Sequence, residues 1–88
     1  MELSKQDRLA IVEATGHFYE IADPDELPVA RQLNALAAKV ASSASGQLSH
    51  RELQAIRLCL ALFVEDFPDD SSPQQSLLSR LPPPPPFL

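Results

Sequence analysis

Leu48-Ser49-His50-Arg51-Glu52-Leu53-Gln54-Ala55-Ile56-Arg57-Leu58-Cys59-Leu60-Ala61-Leu62-Phe63-Val64-Glu65-Asp66-Phe67-Pro68 is the stretch that decides the fold. Ser49 and Glu52 stand in the Ser-x-x-Glu spacing of a capping box, in which the hydroxyl and the carboxylate satisfy backbone N–H groups at a helix start. Leu53, Ile56, Leu60, Phe63 and Phe67 then recur at steps of three and four, the helical period. Residues 58–64 are apolar without a break, so a helix here is apolar over most of its circumference. Such a helix needs neighbours on several sides. The fold class that follows is all-α.

Working back from this stretch, two more helices are expected. The first runs over 4–22, capped by Ser4 with Asp7 three residues on, and Asp7 also suits the positive end of the helix dipole. It carries two apolar stripes: Ile11, Ala14, Thr15, Phe18, Ile21 and Ala22, and beside them Leu9, Val12, Gly16 and Tyr19. Two stripes predict two contacts. Pro24 disfavours helical backbone at Asp23 and so ends the helix. Asp23 and Glu26 are spaced to cap a new helix, but Pro28 would then fall inside it, where its ring meets the carbonyl four residues back. The reading adopted is a turn over 24–27 and a second helix over 28–43. Its seam is Val29, Leu33, Leu36 and Val40, with Ala30, Ala37 and Ala41 alongside, and Gly46 is a left-handed cap. The third helix spans 49–66.

Eighty-eight residues allow one domain. A chain this short buries only about 60% of its unfolded surface, so helix packing or self-association must supplement the core. The expected architecture is a small three-helix bundle over residues 1–68, followed over 69–88 by an acidic linker and a proline-rich tail, disordered or extended. Leu77, Leu78 and Leu81 allow one further helical turn. Pro82 to Pro86 favour a polyproline II rod.

Residues 3–20 laid over 48–65 match at six of eighteen positions, among them Ser4/Ser49, Ile11/Ile56 and Phe18/Phe63. Chance gives about one or two in so Leu- and Ala-rich a chain. Shared helix grammar explains much of this. The alternative is a pseudo-twofold pair, with Gly16 and Ala61 at equivalent points where two helices cross closely. A glycine inside a helix costs about 1 kcal/mol relative to alanine, which close packing would offset.

The net charge of −5 argues against nucleic acid and anionic membranes. The N-terminus has no apolar run of the signal-peptide kind, and the lone Cys59 fits a reducing compartment, so a cytoplasmic location is expected. Cys59 lies inside the apolar run and reads as a buried thiol. His17 and His50 show no ligand spacing with it, so no metal is expected. Paired catalytic carboxylates, a nucleophile with a base and a phosphate loop are all missing from the sequence, and no enzyme or cofactor is expected.

What remains is interaction chemistry. The expected function is a non-enzymatic protein–protein interaction module, an adaptor, inhibitor or assembly factor, using an apolar helical surface and the tail. Leu58, Leu62, Gly16 and Tyr19 are the interface candidates, with a homodimer or another protein as partner. In the tail, Arg80, Leu81, Pro83, Pro86, Phe87 and Leu88 fit an Arg-x-x-Pro-x-x-Pro docking peptide; an inert spacer is the competing reading. Asp23, Asp25 and Glu26 cluster after the first helix, and Glu65, Asp66, Asp69 and Asp70 after the third. If those helices run in the same sense, one acidic pole results, suited to a basic partner. Two alternatives belong to other classes. One is a small dimeric nucleic-acid-binding regulator, since Leu48–Arg57 resembles the first helix of some helix-turn-helix proteins, although no recognition helix follows. The other is a bundle that binds a small apolar ligand.

Overall fold

The computed structural model describes residues 3–42 and 49–81. Among these the fold is all-helical. The elements are α1 (Lys5–Ile21), a 3-10 turn (Pro24–Glu26), α2 (Leu27–Ser42), α3 (His50–Asp66) and α4 (Ser72–Arg80). The capping boxes form as read. The Ser4 hydroxyl accepts from the Asp7 N–H at 3.1 Å, and the Asp7 carboxylate takes the Ser4 N–H at 3.0 Å. Ser49 and Glu52 repeat this at 3.1 and 2.8 Å. At the α1–α2 junction both readings of Asp23–Pro28 contribute. The Asp23 N–H donates to Glu26 Oε1 at 3.2 Å, a single 3-10 turn follows, and α2 begins at Leu27. Pro28 then sits in the first turn of α2, where a missing N–H leaves no bond unmade.

The core is built from one stripe of each helix: Ile11 and Ala14 of α1, Leu33, Ala37 and Val40 of α2, Ile56, Cys59, Leu60 and Phe63 of α3, and Leu77 of α4, closed by Leu3 and Leu81. The element that all others lean on is α1, not α3: α1 packs against α2, α3 and α4, whereas α2 and α3 barely meet. The seam of α2 is also rotated from the expected one. Ala30 and Ala37 are buried while Val29 is 51% exposed. The alanines face α1 because small side chains let two helix backbones approach closely.

The largest departure lies after residue 68. An extended tail from residue 69 is expected, yet Ser72–Arg80 is a helix and its face is core. Leu77 is fully buried, and Ser71, Gln74 and Leu81 are buried with it. Pro73 opens α4, where its fixed φ is already helical. The physical reason for the helix is tertiary. Gln74 Nε2 donates to the Ala10 carbonyl at 3.3 Å and to Glu13 Oε1 at 2.9 Å. One helix length away, the Arg80 guanidinium grips Asp7 with both terminal nitrogens, Nη1 reaching Oδ2 at 3.1 Å. The start of α4 thus lies on the middle of α1 and its end on the beginning of α1, so the two run antiparallel. Among the described residues, a bundle of four helices replaces the expected three. The Gly46 cap and the residues beyond Leu81 lie outside the described residues.

Candidate docking groove

The C-terminal ends of α1 and α3 meet. His17, one turn before the end of α1, places Nε2 2.7 Å from Asp66 Oδ2 at the end of α3. The His17 ring stands edge-on to Phe63 (centroids 5.6 Å apart, 88° between planes) and to Phe67 (4.8 Å, 68°). Phe63 and Phe67 tilt against each other at 4.9 Å. Edge-on and tilted contacts set the positive rim of one ring on the negative face of another, so this cluster orients all three rings. The meeting also brings the acidic segments that follow α1 and end α3 to the same end of the bundle, as expected for helices running in the same sense.

Beside the cluster an open groove of approximately 510 Å³ runs between α1 and the end of α3. Its α1 wall is Val12, Glu13, Gly16, His17 and Glu20; its other wall is Phe63, Phe67 and Asp70. Glu13, Gly16 and Glu20 share one face of α1, because steps of three and four return to the same side of a helix. Asp70 is placed by a tight turn in which its N–H donates to the Phe67 carbonyl at 3.2 Å. A Cβ built on Gly16 would meet nothing within 4 Å. This speaks against the alternative of a close crossing at Gly16 and Ala61. α3 packs on the Ile11–Ala14 stripe of α1, leaving the Leu9–Val12–Gly16–Tyr19 stripe uncovered. Leu9 is 61% exposed, and Val12 and Tyr19 are 39% exposed.

The residues expected to bind partners are scattered by the fold. Gly16 lines the groove, and Tyr19 lies exposed on the same uncovered stripe. Leu58 is 73% exposed on α3, while Leu62 is half-buried. Arg80 and Leu81 do not belong to a free docking peptide: Arg80 is committed to Asp7, and Leu81 is buried in the core. Pro83, Pro86, Phe87 and Leu88 lie outside the described residues. Sequence reasoning did not foresee Glu13, Glu20 and Phe67 as one site. The only signal was the run of carboxylates flanking both helices.

Three ionisable groups carry the electrostatics of the scaffold. The Arg80 guanidinium and the Ser4 N–H hold the Asp7 carboxyl below the ordinary carboxylate range, against an opposing effect of burial. The Ser49 N–H lowers Glu52 in the same way. Burial pushes the Cys59 thiol up to about 11. At neutral pH it is therefore protonated, and it lacks the thiolate that nucleophilic chemistry requires. Among the described residues no group of three or more His, Cys, Asp or Glu could hold a metal ion. Nor is any helix there long and apolar enough to cross a membrane. Comparison with protein-family models, with curated proteins and with solved structures returns no match.

Proposed function

We propose that this chain is a non-enzymatic protein–protein interaction module whose groove between α1 and the end of α3 docks a basic, partly apolar segment of another protein. The observation that carries the reading is the composition of that groove: Glu13, Glu20 and Asp70 stand beside Val12, Phe63 and Phe67. Apolar walls give contact area, and carboxylates choose the sign of the partner. The net charge of −5 adds a field that draws a cationic segment in. It works against the runner-up, a dimeric nucleic-acid-binding regulator, because these carboxylates would face phosphate. A small apolar ligand is likewise poorly matched to a groove edged with charge.

The last seven residues, with Pro83, Pro86, Phe87 and Leu88, offer the partner a second, apolar contact, one that Arg80 does not join. Linking two weak contacts raises avidity without strengthening either.

The test is titration of the ¹⁵N-labelled chain with a basic amphipathic peptide, a matched acidic peptide and a generic DNA duplex. Saturable shifts at Val12, Gly16, Glu20 and Phe67 with the basic peptide alone are expected. They should weaken as salt rises and vanish in Glu20→Lys/Asp70→Lys. Shifts from the duplex at low salt, or from the acidic peptide equally, would refute the proposal.

A further inference from the structure

The groove has a property that net charge does not describe: the polar side chains lining it are mostly acceptors. Glu13, Glu20 and Asp70 are carboxylates, which accept only. The one donor-bearing side chain in the lining is His17, and its Nε2 is engaged with Asp66 Oδ2 at 2.7 Å. A ligand matched to this lining brings several donors.

Resting on the docking reading above, we infer that the groove reads an arginine side chain of the partner. Its guanidinium lies between Glu20 and Asp70 and over the exposed part of Phe67, and the partner's backbone crosses α1 at Gly16. Three features choose arginine over lysine. The carboxylates of Glu20 and Asp70 start from different elements, α1 and the turn after α3, and a rigid planar fork of five donors spans two such acceptors more widely than a compact ammonium with three. Phe67 is 39% exposed, with its ring oriented by His17 and Phe63, so a fixed aromatic surface is ready for a flat cation to stack on. A guanidinium is also more weakly hydrated than an ammonium, so it loses less water on settling into an open groove. Gly16 completes the site: with nothing within 4 Å of where its Cβ would be, apart from its chain neighbours and its own helix backbone, it opens a gap in the α1 wall into which a second main chain fits. The glycine has no close neighbour within the chain to account for it, and the crossing supplies that neighbour from outside.

The test uses the full chain and three amidated peptides of alanine and leucine, identical except for one central residue: arginine, lysine or citrulline. Citrulline keeps the shape of arginine and removes the charge. Affinity is read from ¹H–¹⁵N shifts. The arginine peptide should bind about tenfold tighter than the lysine peptide and further still above citrulline. Its shifts should centre on Gly16, Glu20 and Phe67. Glu20→Gln/Asp70→Asn should abolish the preference for arginine over lysine, and Gly16→Leu should weaken all three peptides without lowering the melting temperature. Equal binding of arginine and lysine would overturn the arginine inference and leave the basic-segment reading standing. Binding of none of the peptides at low salt, or citrulline equal to arginine, would overturn both.

Discussion

If α4 is part of the core, Leu77→Ala should cost as much as truncating any buried leucine. Leu77 is fully buried against the core cluster. Truncation to alanine removes three carbons, which at about 0.8 kcal/mol each is a loss of about 2.4 kcal/mol in transfer free energy. The void left behind raises this, and about 3 kcal/mol is a fair central value within the 2–5 kcal/mol that such truncations cost. Domains of this size have total stabilities of about 4–13 kcal/mol, so the loss is a large fraction. With about 4–8 °C per kcal/mol for a small domain, the melting temperature should fall by about 12–24 °C. The internal control is Leu58→Ala. Leu58 is chemically identical but 73% exposed on α3, and its truncation should change stability by less than about 0.5 kcal/mol. Thermal melts followed by circular dichroism at 222 nm, with urea titrations at one temperature, decide the matter. The urea slope should stay that of the parent, since the surface exposed on unfolding is nearly unchanged. If Leu77→Ala melts within a few degrees of the parent while remaining cooperative, α4 contributes nothing to the core and the domain ends near Pro68.

Other substitutions separate scaffold from site. Gly16→Ala should stabilise the isolated chain by up to about 1 kcal/mol, because alanine is the better helix former and the added methyl meets open space. A lower melting temperature would refute that picture of α1. Acid should unfold the protein in a way that depends on Asp7. Its folded carboxyl is held below the usual range, so as pH falls through about 4 the unfolded chain binds the proton first. Stability present above about pH 4 is then lost as pH drops toward the lower folded value. Asp7→Asn should flatten, but not abolish, the difference in urea midpoint between about pH 6 and pH 3, because Glu52 is lowered too. Cys59 should resist a thiol reagent in the native state and react only as fast as the molecule opens. Rapid labelling without denaturant would show that the α3 face is not buried.

Local chemistry made α1 and α3 readable. Ser4 with Asp7 and Ser49 with Glu52 set their starts within one residue, since a capping box uses only groups three residues apart. The buried positions Ile11, Ile56, Leu60 and Phe63 follow the apolar period. The rotation of α2 was less legible, because Val29 and Ala30 are neighbours and hydrophobicity alone favours burying the larger one. Close packing on α1 selects the smaller. The groove was half legible: the carboxylates of Asp66 and Asp70 stood out and Gly16 was among the interface candidates, but a crossing of Gly16 with α3 stayed open as an alternative because its stripe could not be ranked against the Ile11 stripe.

Capping and periodicity, which act within a turn or two, were settled by the chain's own order of residues: an all-helical protein, the spans of three helices, and an acidic balance. The fourth helix was not. Ser72–Arg80 has one proline, several polar residues and few apolar ones, and taken alone nine residues cannot repay the cost of helix nucleation in water. It exists because α1, some sixty to seventy residues earlier, holds the Ala10 carbonyl, Glu13 and Asp7 where Gln74 and Arg80 can reach them, while the core leaves a place for Leu77. The groove has the same origin. The Glu13–Glu20 pair and the Phe67–Asp70 pair are each local but lie far apart along the chain, and they become one surface only because the ends of α1 and α3 meet at His17 and Asp66.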